Sequence, residues 1–335
     1  MTETKIIKLS ANENCYGCSP KALLAIEKNY KNVHLYPDLV PLELKKQLAL
    51  KFCVNPENVV IGAGSVKIID GIIQTFVKQG EEVLTFEKSF VAYGQLSELY
   101  GHKCRFAPLT DWRCEPANLL PFINNNTRVI FLANPNNPTG TIIKHNDLKF
   151  LLDNIPENIL VALDEAYAEY VFDSEFPSAI NLQKTYKNLI VLRSFSKIYG
   201  LAGLRIGYAI LNETYAEKLS KTQIPYSLNY LAANTALAAL NDESFVKNSA
   251  KLNHEESKKL VKALKESGYN TIESQSNFIY LWFDTDEKKD IVYNLLLKNG
   301  IAICDLKVFG QSQSLRIGVG TSEVNNSIIS ILSVI

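Results

Sequence analysis

Short apolar runs alternate with segments of helical pattern between residues 59 and 211, and this alternation limits the possible folds more than any other feature. The runs lie at residues 59–62, 82–86, 128–133, 159–163, 189–193 and 206–210. Their apolar residues occupy both faces, as in strands that are buried on both sides by crossover helices. The sequence therefore predicts an α/β fold with a mostly parallel central sheet flanked by helices.

The pattern changes after Tyr230. Two long helical stretches, 230–240 and 244–267, lead into apolar runs at 277–283, 301–304 and 315–319. We predict a large domain over residues 31–240 and a smaller C-terminal α+β domain over 241–335. The N-terminal arm, residues 1–30, has no strong period and is expected to pack on the small domain or on a partner subunit.

Composition excludes several classes of partner. The 335 residues include 35 basic and 35 acidic side chains, so no overall field attracts nucleic acid or an anionic membrane. No stretch is apolar enough to span a bilayer, and the N-terminus lacks the apolar core of a signal peptide, so we expect a cytoplasmic protein. In such a compartment we expect the six cysteines to be reduced thiols. The Cys15/Cys18 pair is interpreted as incidental, and no metal site is predicted, because the other four cysteines are scattered and form no second pair.

A lysine follows the run at 189–193. Lys197 is preceded by Ser194 and Ser196, and Arg205 follows eight residues later among glycines. Open α/β sheets bind ligands at the carboxyl ends of their strands. A solvated surface lysine is the competing interpretation, and this segment alone does not decide between the two.

Polar segments follow two more of the predicted strands. Asp164 and Tyr167 come after the run at 159–163, and Asn137 lies in the turn-forming segment 134–140 after the run at 128–133. Each alone fits a helix cap or a tight turn. Their occurrence at the ends of neighbouring strands, together with Lys197, predicts one ligand site at one edge of the sheet.

Taken together, these segments resemble those of the fold-type I pyridoxal-phosphate (PLP) aminotransferases, most closely the histidinol-phosphate aminotransferase group. The matching motifs cover nearly the whole chain, at residues 9–20, 36–38, 62–65, 134–140, 164–167, 194–197 with Arg205, 276–278 and 315–319. The resemblance implies an enzyme that transaminates with PLP as cofactor.

The resemblance also implies roles for individual residues. Lys197 would form the Schiff base with PLP and move the proton, and Asp164 would pair with the pyridine nitrogen so that the ring acts as an electron sink. Tyr167 and Asn137 would hydrogen-bond the phenolic oxygen of the ring.

The cofactor phosphate would be bound by a loop that opens a helix, by two serines and by one arginine. The residues concerned are Gly64, Ser65, Val66, Ser194, Ser196 and Arg205. Phe90 would stack on the pyridine face, with Tyr93 as a second aromatic of that wall. Tyr36 would reach the phosphate of the partner subunit, which implies a homodimer with a shared active site.

Substrate recognition is where the sequence departs from the group. Arg316 matches the arginine that binds the substrate carboxylate, with Tyr16 and Asn277 as wall residues. Cys304 stands where the group has an arginine for the substrate phosphate, and this should weaken binding of the usual substrate unless another cation, such as Lys307 or Lys67, replaces it. A second departure is Val66-Lys67, where relatives carry acidic residues after the glycine and serine.

The expected reaction is amino transfer between L-glutamate and a small phosphorylated ketone, either imidazole acetol phosphate or a shorter one such as dihydroxyacetone phosphate. A PLP-dependent decarboxylase of serine or threonine phosphate is the alternative, because it shares these motifs. A nicotinamide-dependent dehydrogenase is a weaker alternative. The glycines at 62 and 64 suggest it, but Lys67 occupies the third glycine position of that fingerprint.

Overall fold

The computed structural model describes residues 6–333. Residues 1–5 of the predicted arm and 334–335 of the predicted small domain lie outside this range. The strands in chain order are β1 (Ile7–Lys8), β2 (Val59–Gly62), β3 (Glu82–Phe86), β4 (Lys103–Ala107), β5 (Thr127–Ala133), β6 (Leu160–Asp164), β7 (Leu189–Ser194), β8 (Gly207–Ile210), β9 (Asn270–Thr271), β10 (Phe278–Trp282), β11 (Ile301–Ala302), β12 (Cys304–Asp305) and β13 (Ser314–Gly318).

Helices cover the sheets and separate most of the strands. They are α1 (Pro20–Asn29), α2 (Leu42–Phe52), α3 (Ser65–Phe76), α4 (Ala92–Leu99), α5 (His145–Asn154), α6 (Ala179–Thr185), α7 (Glu213–Ser220), α8 (Tyr230–Leu240), α9 (Glu243–Glu266), α10 (Asp286–Lys298) and α11 (Ser322–Leu332). In the part of the chain that is described, none of these helices combines the length and the apolar character needed to cross a bilayer.

The larger sheet has seven strands in the order β2-β8-β7-β6-β5-β3-β4. Successive residues of its strands face two different apolar cores, as expected for strands covered on both sides. In β7, for example, Val191 belongs to one core, whereas Ile190 and Leu192 belong to the other. The predicted α/β fold with a mostly parallel central sheet is confirmed.

One strand of this sheet departs from the parallel pattern. β8 runs antiparallel to both β2 and β7. Between β7 and β8 the chain forms only a 3₁₀ turn, Ala202–Leu204, and a parallel neighbour requires a crossover that is usually a full helix. The other six strands share one direction, so β2, β5, β6 and β7 bring their carboxyl ends to one edge of the sheet.

A smaller, four-stranded antiparallel sheet, β12-β13-β10-β9, follows the long helix α9. The start of the chain lies against it: β1 pairs in parallel with β11, and the amide of Gly318 donates to the carbonyl of Leu9 over 2.9 Å. Leu9 belongs to the apolar core of this unit. Residues 9–17, called the N-terminal strap below, therefore lead from the smaller sheet toward the edge of the larger one.

Candidate active site

A cavity of about 420 Å³ opens at the carboxyl edge of the larger sheet. Twelve of the predicted site residues line it: Ser65, Val66, Phe90, Asn137, Asp164, Tyr167, Ser194, Ser196, Lys197, Arg205, Cys304 and Arg316. They come from strand ends that are far apart in sequence, from the loops that follow them, and from the smaller sheet. The cavity therefore lies where the two sheets and the N-terminal strap meet.

Asp164 ends β6 and is 6 % exposed. Burial raises the pKa of its carboxyl to about 6, and a hydrogen bond from Tyr93, another from the amide of Ala166 and the charge of Lys197 lower it by less. The hydroxyl of Tyr93 donates to Oδ2 over 3.2 Å, and the amide of Ala166 donates to Oδ1 over 3.2 Å. Because neither donor carries a charge, a cation entering the cavity would stabilise this carboxylate.

The prediction that Tyr93 belongs to the aromatic wall is wrong. Its side chain is fully buried and stacks on Phe131, with ring centroids 4.9 Å apart and planes 6° apart. It meets the wall residue Phe90 only edge-on, at 5.6 Å. Tyr93 lies on the face of α4 that packs against the sheet, so it contacts Asp164 from behind the cavity.

Lys197 lines the same cavity. Its Nζ donates to the carbonyl of Ala11 over 2.9 Å and lies 5.6 Å from the ring centroid of Tyr167. Nδ2 of Asn12 donates to the phenol oxygen of Tyr167 over 3.0 Å. The strap is therefore bonded directly to two of the predicted catalytic residues.

Arg316, on β13, is held by two hydrogen bonds. Nη1 donates to Oδ1 of Asn137 over 2.5 Å, and Nη2 donates to the carbonyl of Ser10 over 2.7 Å. Cys304 lies directly opposite Arg316 across the β12–β13 pair, so both side chains share a face. Burial raises the pKa of the Cys304 thiol, although the charge of Arg316 opposes this. A neutral sulfur thus occupies the position beside the guanidinium.

Neither proposed replacement cation reaches the cavity. Within residues 6–333 its basic lining consists of Lys197, Arg205 and Arg316. Lys67 instead donates from its ammonium group to Asp70 over 2.5 Å. The resemblance assigns Arg205 to the cofactor phosphate and Lys197 to the Schiff base. Of the basic side chains in the described lining, Arg316 then remains for the substrate.

The loop before α3 approaches Arg205 closely. Gly64 has a φ of +85°, and a Cβ at that position would lie 2.6 Å from Nη2 of Arg205. A Cβ on Gly207 would lie 2.6 Å from the amide nitrogen of Ser65. Arg205 itself has a φ of +51°, a conformation that is costly for a residue with a side chain. The two glycines let a guanidinium and the first amides of a twelve-residue helix converge, which is an arrangement suited to an anion.

Two hydroxyls extend this anion site. Nη1 of Arg205 donates to Oγ of Ser196 over 3.3 Å, and the amide of Ser196 donates to Oγ of Ser194 over 3.0 Å. Both serines follow or end β7 and are buried. Their hydroxyl hydrogens can therefore serve an anion in the cavity.

Four predicted residues lie apart from the lining. Gly64 lies behind it against Arg205. Asn277 is 2 % exposed, and its Nδ2 donates to the carbonyl of Asn12 over 3.0 Å, so it binds the strap and not the cavity. Tyr16 faces Cys15 and Glu256, and burial raises the pKa of its phenol. Asn277 is thus held against the strap, and Tyr16, which is itself part of the strap, lies near Glu256 of α9 and not in the cavity lining.

Tyr36 is the fourth predicted residue that lies apart from the cavity lining. It is 80 % exposed, and its ring contacts that of Tyr226, with centroids 4.7 Å apart and planes tilted by 40°. Other apolar side chains near it in sequence are also exposed, namely Val33, Leu35, Leu39, Val40 and Leu42. Its predicted role in a partner subunit is not tested by a single chain and stays a prediction.

Sequence reasoning on residue types missed the strap as part of the lining, which includes Ser10, Ala11, Asn12 and Glu13. Most of their contacts run through backbone carbonyls, which side-chain chemistry does not reveal. The motif at 9–20 was the available signal. As for metals, the described residues contain no group of three or more His, Cys, Asp or Glu placed to hold an ion, and the six cysteines are free thiols.

A family model described as aminotransferase class I and II matches residues 4–332. Histidinol-phosphate aminotransferase 1 of Mannheimia succiniciproducens is 36 % identical over 329 residues, covering 98 % of this chain and 89 % of the relative. The solved structure of histidinol-phosphate aminotransferase from Sinorhizobium meliloti in complex with pyridoxal-5'-phosphate superposes with a TM-score of 0.90 at 26 % identity, covering 98 % and 90 % of the two chains.

A third relative shares the fold alone. L-threonine-O-3-phosphate decarboxylase from Porphyromonas gingivalis superposes with a TM-score of 0.85 at 22 % identity, covering 98 % of this chain and 99 % of that one. At this identity the likeness does not distinguish transamination from decarboxylation.

The lining fits pyridoxal phosphate. Asp164 is a buried carboxylate whose hydrogen bonds come from uncharged groups, so a protonated pyridine nitrogen would complete it. The convergence of Arg205 with the loop at Gly64 leaves no room for a Cβ, and it offers one cation and helix amides to a phosphate. Lys197 lines the same cavity as Asp164 and Arg205.

Proposed function

Because this chain belongs to the aminotransferase class I and II family and is a PLP-dependent transaminase, we propose that it moves an amino group between L-glutamate and a small phosphorylated ketone. The acceptor would be imidazole acetol phosphate or a shorter analogue such as dihydroxyacetone phosphate. One observation carries the proposal: Lys197, Asp164, Arg205 and Arg316 all line a single cavity.

Each of these side chains has a task that its surroundings support. When bound, PLP supplies the electron sink that stabilises negative charge on the substrate carbon. Asp164 would hold a proton on the pyridine nitrogen, and Arg205 would bind the phosphate. Lys197 takes the proton from the substrate carbon that bears the amino group. Tyr167 and Asn137 would hydrogen-bond the ring oxygen, and Phe90 would cover the ring face.

Arg316 would serve both substrates. Donor and acceptor occupy the cavity in alternate half-reactions, so one guanidinium can bind the carboxylate of glutamate in one and the phosphate of the ketone in the other. Planar N–H pairs suit either group. The histidinol-phosphate aminotransferase relative supports a phosphorylated acceptor. Cys304, which contributes no charge beside Arg316, should make that phosphate bind less tightly than a paired arginine would.

We also propose a homodimer in which Tyr36 completes the partner's site. The exposed apolar side chains that accompany Tyr36 support this, because exposed patches of this kind mark protein interfaces.

The first experiment is an absorption spectrum of the purified protein with PLP, before and after addition of L-glutamate. We expect a band from the cofactor bonded to Lys197, which disappears in Lys197→Ala and is replaced by the pyridoxamine spectrum with glutamate. A protein that binds PLP without this band would refute the assignment of Lys197.

The acceptor is then identified with a panel. The aminated enzyme is mixed with imidazole acetol phosphate, dihydroxyacetone phosphate and keto acids without phosphate, and return of the original band is followed. Turnover restricted to the non-phosphorylated keto acids would refute the phosphate part of the proposal. Release of carbon dioxide from serine or threonine phosphate, without amino transfer from glutamate, would favour the decarboxylase.

A further inference from the structure

Asn12 combines three features that its place in the strap does not require. It has a φ of +58°, it is 2 % exposed, and its Oδ1 is buried without a hydrogen-bond partner among residues 6–333. An unpaired buried acceptor costs roughly 1–3 kcal/mol, and a left-handed backbone adds to this. Asparagine tolerates that backbone better than most residues, but tolerance does not explain why the side chain is buried at the cavity.

The contacts of Asn12 connect the smaller sheet with the cavity residue Tyr167. Its Nδ2 donates to the phenol oxygen of Tyr167 over 3.0 Å, and its carbonyl accepts from Nδ2 of Asn277 over 3.0 Å. The preceding carbonyl, that of Ala11, accepts from Lys197 over 2.9 Å. Asn12 is therefore fixed from the smaller sheet while it bonds to a residue of the larger one.

A phenol has one hydrogen to donate and an oxygen that accepts. Because Nδ2 of Asn12 occupies the oxygen of Tyr167 as a donor, the phenol hydrogen cannot point at Asn12. In the described chain the Tyr167 hydroxyl makes no other side-chain hydrogen bond, and Tyr167 lines the cavity. Its hydrogen is thus left for a group inside the cavity.

We propose that Asn12 is a positioning residue, which directs the hydroxyl hydrogen of Tyr167 into the cavity and so toward the ring oxygen of the cofactor. The inference rests on the proposed function, in which Tyr167 donates to that oxygen. A hydroxyl whose oxygen accepts a hydrogen bond from an N–H is also polarised, so the hydrogen bond that it donates is stronger. The charged groups of the same lining are Glu13, Asp164, Lys197, Arg205 and Arg316, and Nζ of Lys197 lies 5.6 Å from the ring centroid of Tyr167.

The readout is the pH midpoint of the absorption band of the cofactor bonded to Lys197, measured without substrate. A hydrogen bond that stabilises the ring oxygen as an anion lowers the pH at which the Schiff base between PLP and Lys197 loses its proton. Asn12→Gly keeps the left-handed backbone and removes the side chain, so its midpoint should rise by roughly 0.5–1 pH unit. Asn14→Ala is the matched control, because Asn14 anchors the same strap to the carbonyl of Ile198 over 2.8 Å and its side-chain hydrogen bonds do not involve Tyr167.

A double-mutant cycle separates positioning from a structural effect. In a Tyr167→Phe background, Asn12→Gly should cause no further shift, whereas a general disturbance of the strap would shift both backgrounds equally. An unchanged midpoint in Asn12→Gly, or a shift that persists in Tyr167→Phe, would overturn the inference. A lowered midpoint would also overturn it, because it would mean that the phenol donates to Asn12. If the wild type shows no band that depends on Lys197, the proposed function fails first.

Discussion

Asp164→Asn tests the electrostatics of the cavity directly. In the cofactor-free protein, burial raises the pKa of Asp164 from 3.8 to about 6. A raised carboxyl pKa means that ionisation is easier in the unfolded chain, so this group destabilises the fold as pH rises. The loss begins near pH 4, is complete above about pH 6, and amounts to about 3 kcal/mol at 1.36 kcal/mol per pH unit. Asparagine removes the charge and can keep both hydrogen bonds, one from Ala166 and one with Tyr93.

The cofactor-free Asp164→Asn variant should therefore be more stable than cofactor-free wild type, by up to about 3 kcal/mol at pH 8 and by progressively less toward pH 4. Urea unfolding of both proteins at several pH values, followed by circular dichroism, measures the difference. With PLP the order should reverse, because the protonated ring nitrogen stabilises the aspartate form only. A variant that is no more stable at pH 8, or a difference that does not depend on pH, would refute the reasoning.

Three further substitutions test other parts of the site. Gly207→Ala would place a Cβ 2.6 Å from the amide of Ser65, so the PLP dissociation constant should rise roughly 5- to 150-fold, which corresponds to a packing cost of roughly 1–3 kcal/mol. Gly203→Ala is the control, because nothing lies within 4 Å of its Cβ. Equal PLP affinity in both variants would contradict the loop geometry. Cys304→Arg should lower KM for the phosphorylated ketone about tenfold or more and leave keto acids without phosphate unaffected, as steady-state kinetics would show. Tyr36→Phe should raise the PLP dissociation constant without a change in unfolding midpoint, and unchanged affinity would count against a shared site.

Much of the larger sheet could be predicted because its strands are apolar on both faces and are separated by helices. The direction of β8 could not be, since its apolar sequence is the same in either orientation and only the missing crossover helix decides it. β4 was missed because it is an edge strand in which Lys103 is exposed and Cys104 and Arg105 are half-buried. β4 therefore lacks the continuous apolar pattern on which the prediction relied, whereas β2 at the opposite edge is buried along its whole length and was predicted.

The site was predicted where a side chain carries the chemistry at a strand end. Asp164 and Lys197 are of this kind, and both line the cavity. Tyr93 was misplaced because an aromatic near the site fits a cavity wall or the core behind it equally well, and only the orientation of α4 distinguishes them. The contacts of the strap could not be foreseen, because Ser10 and Ala11 act through carbonyls that every residue possesses.

The pairing of β1 with β11 has a consequence for the order of folding. Ile7 contacts Ile301, so the first strand of the described chain has no partner until nearly all of the chain has been synthesised. The larger sheet, whose strands end at Ile210, can assemble earlier from contacts that are closer in sequence. Because the strap is held by β13 and by Asn277, its bonds to Lys197 and Tyr167 form only after that late pairing. In a ribosome-bound chain, Lys197 is therefore present before the carbonyl of Ala11 that accepts its hydrogen bond is in place.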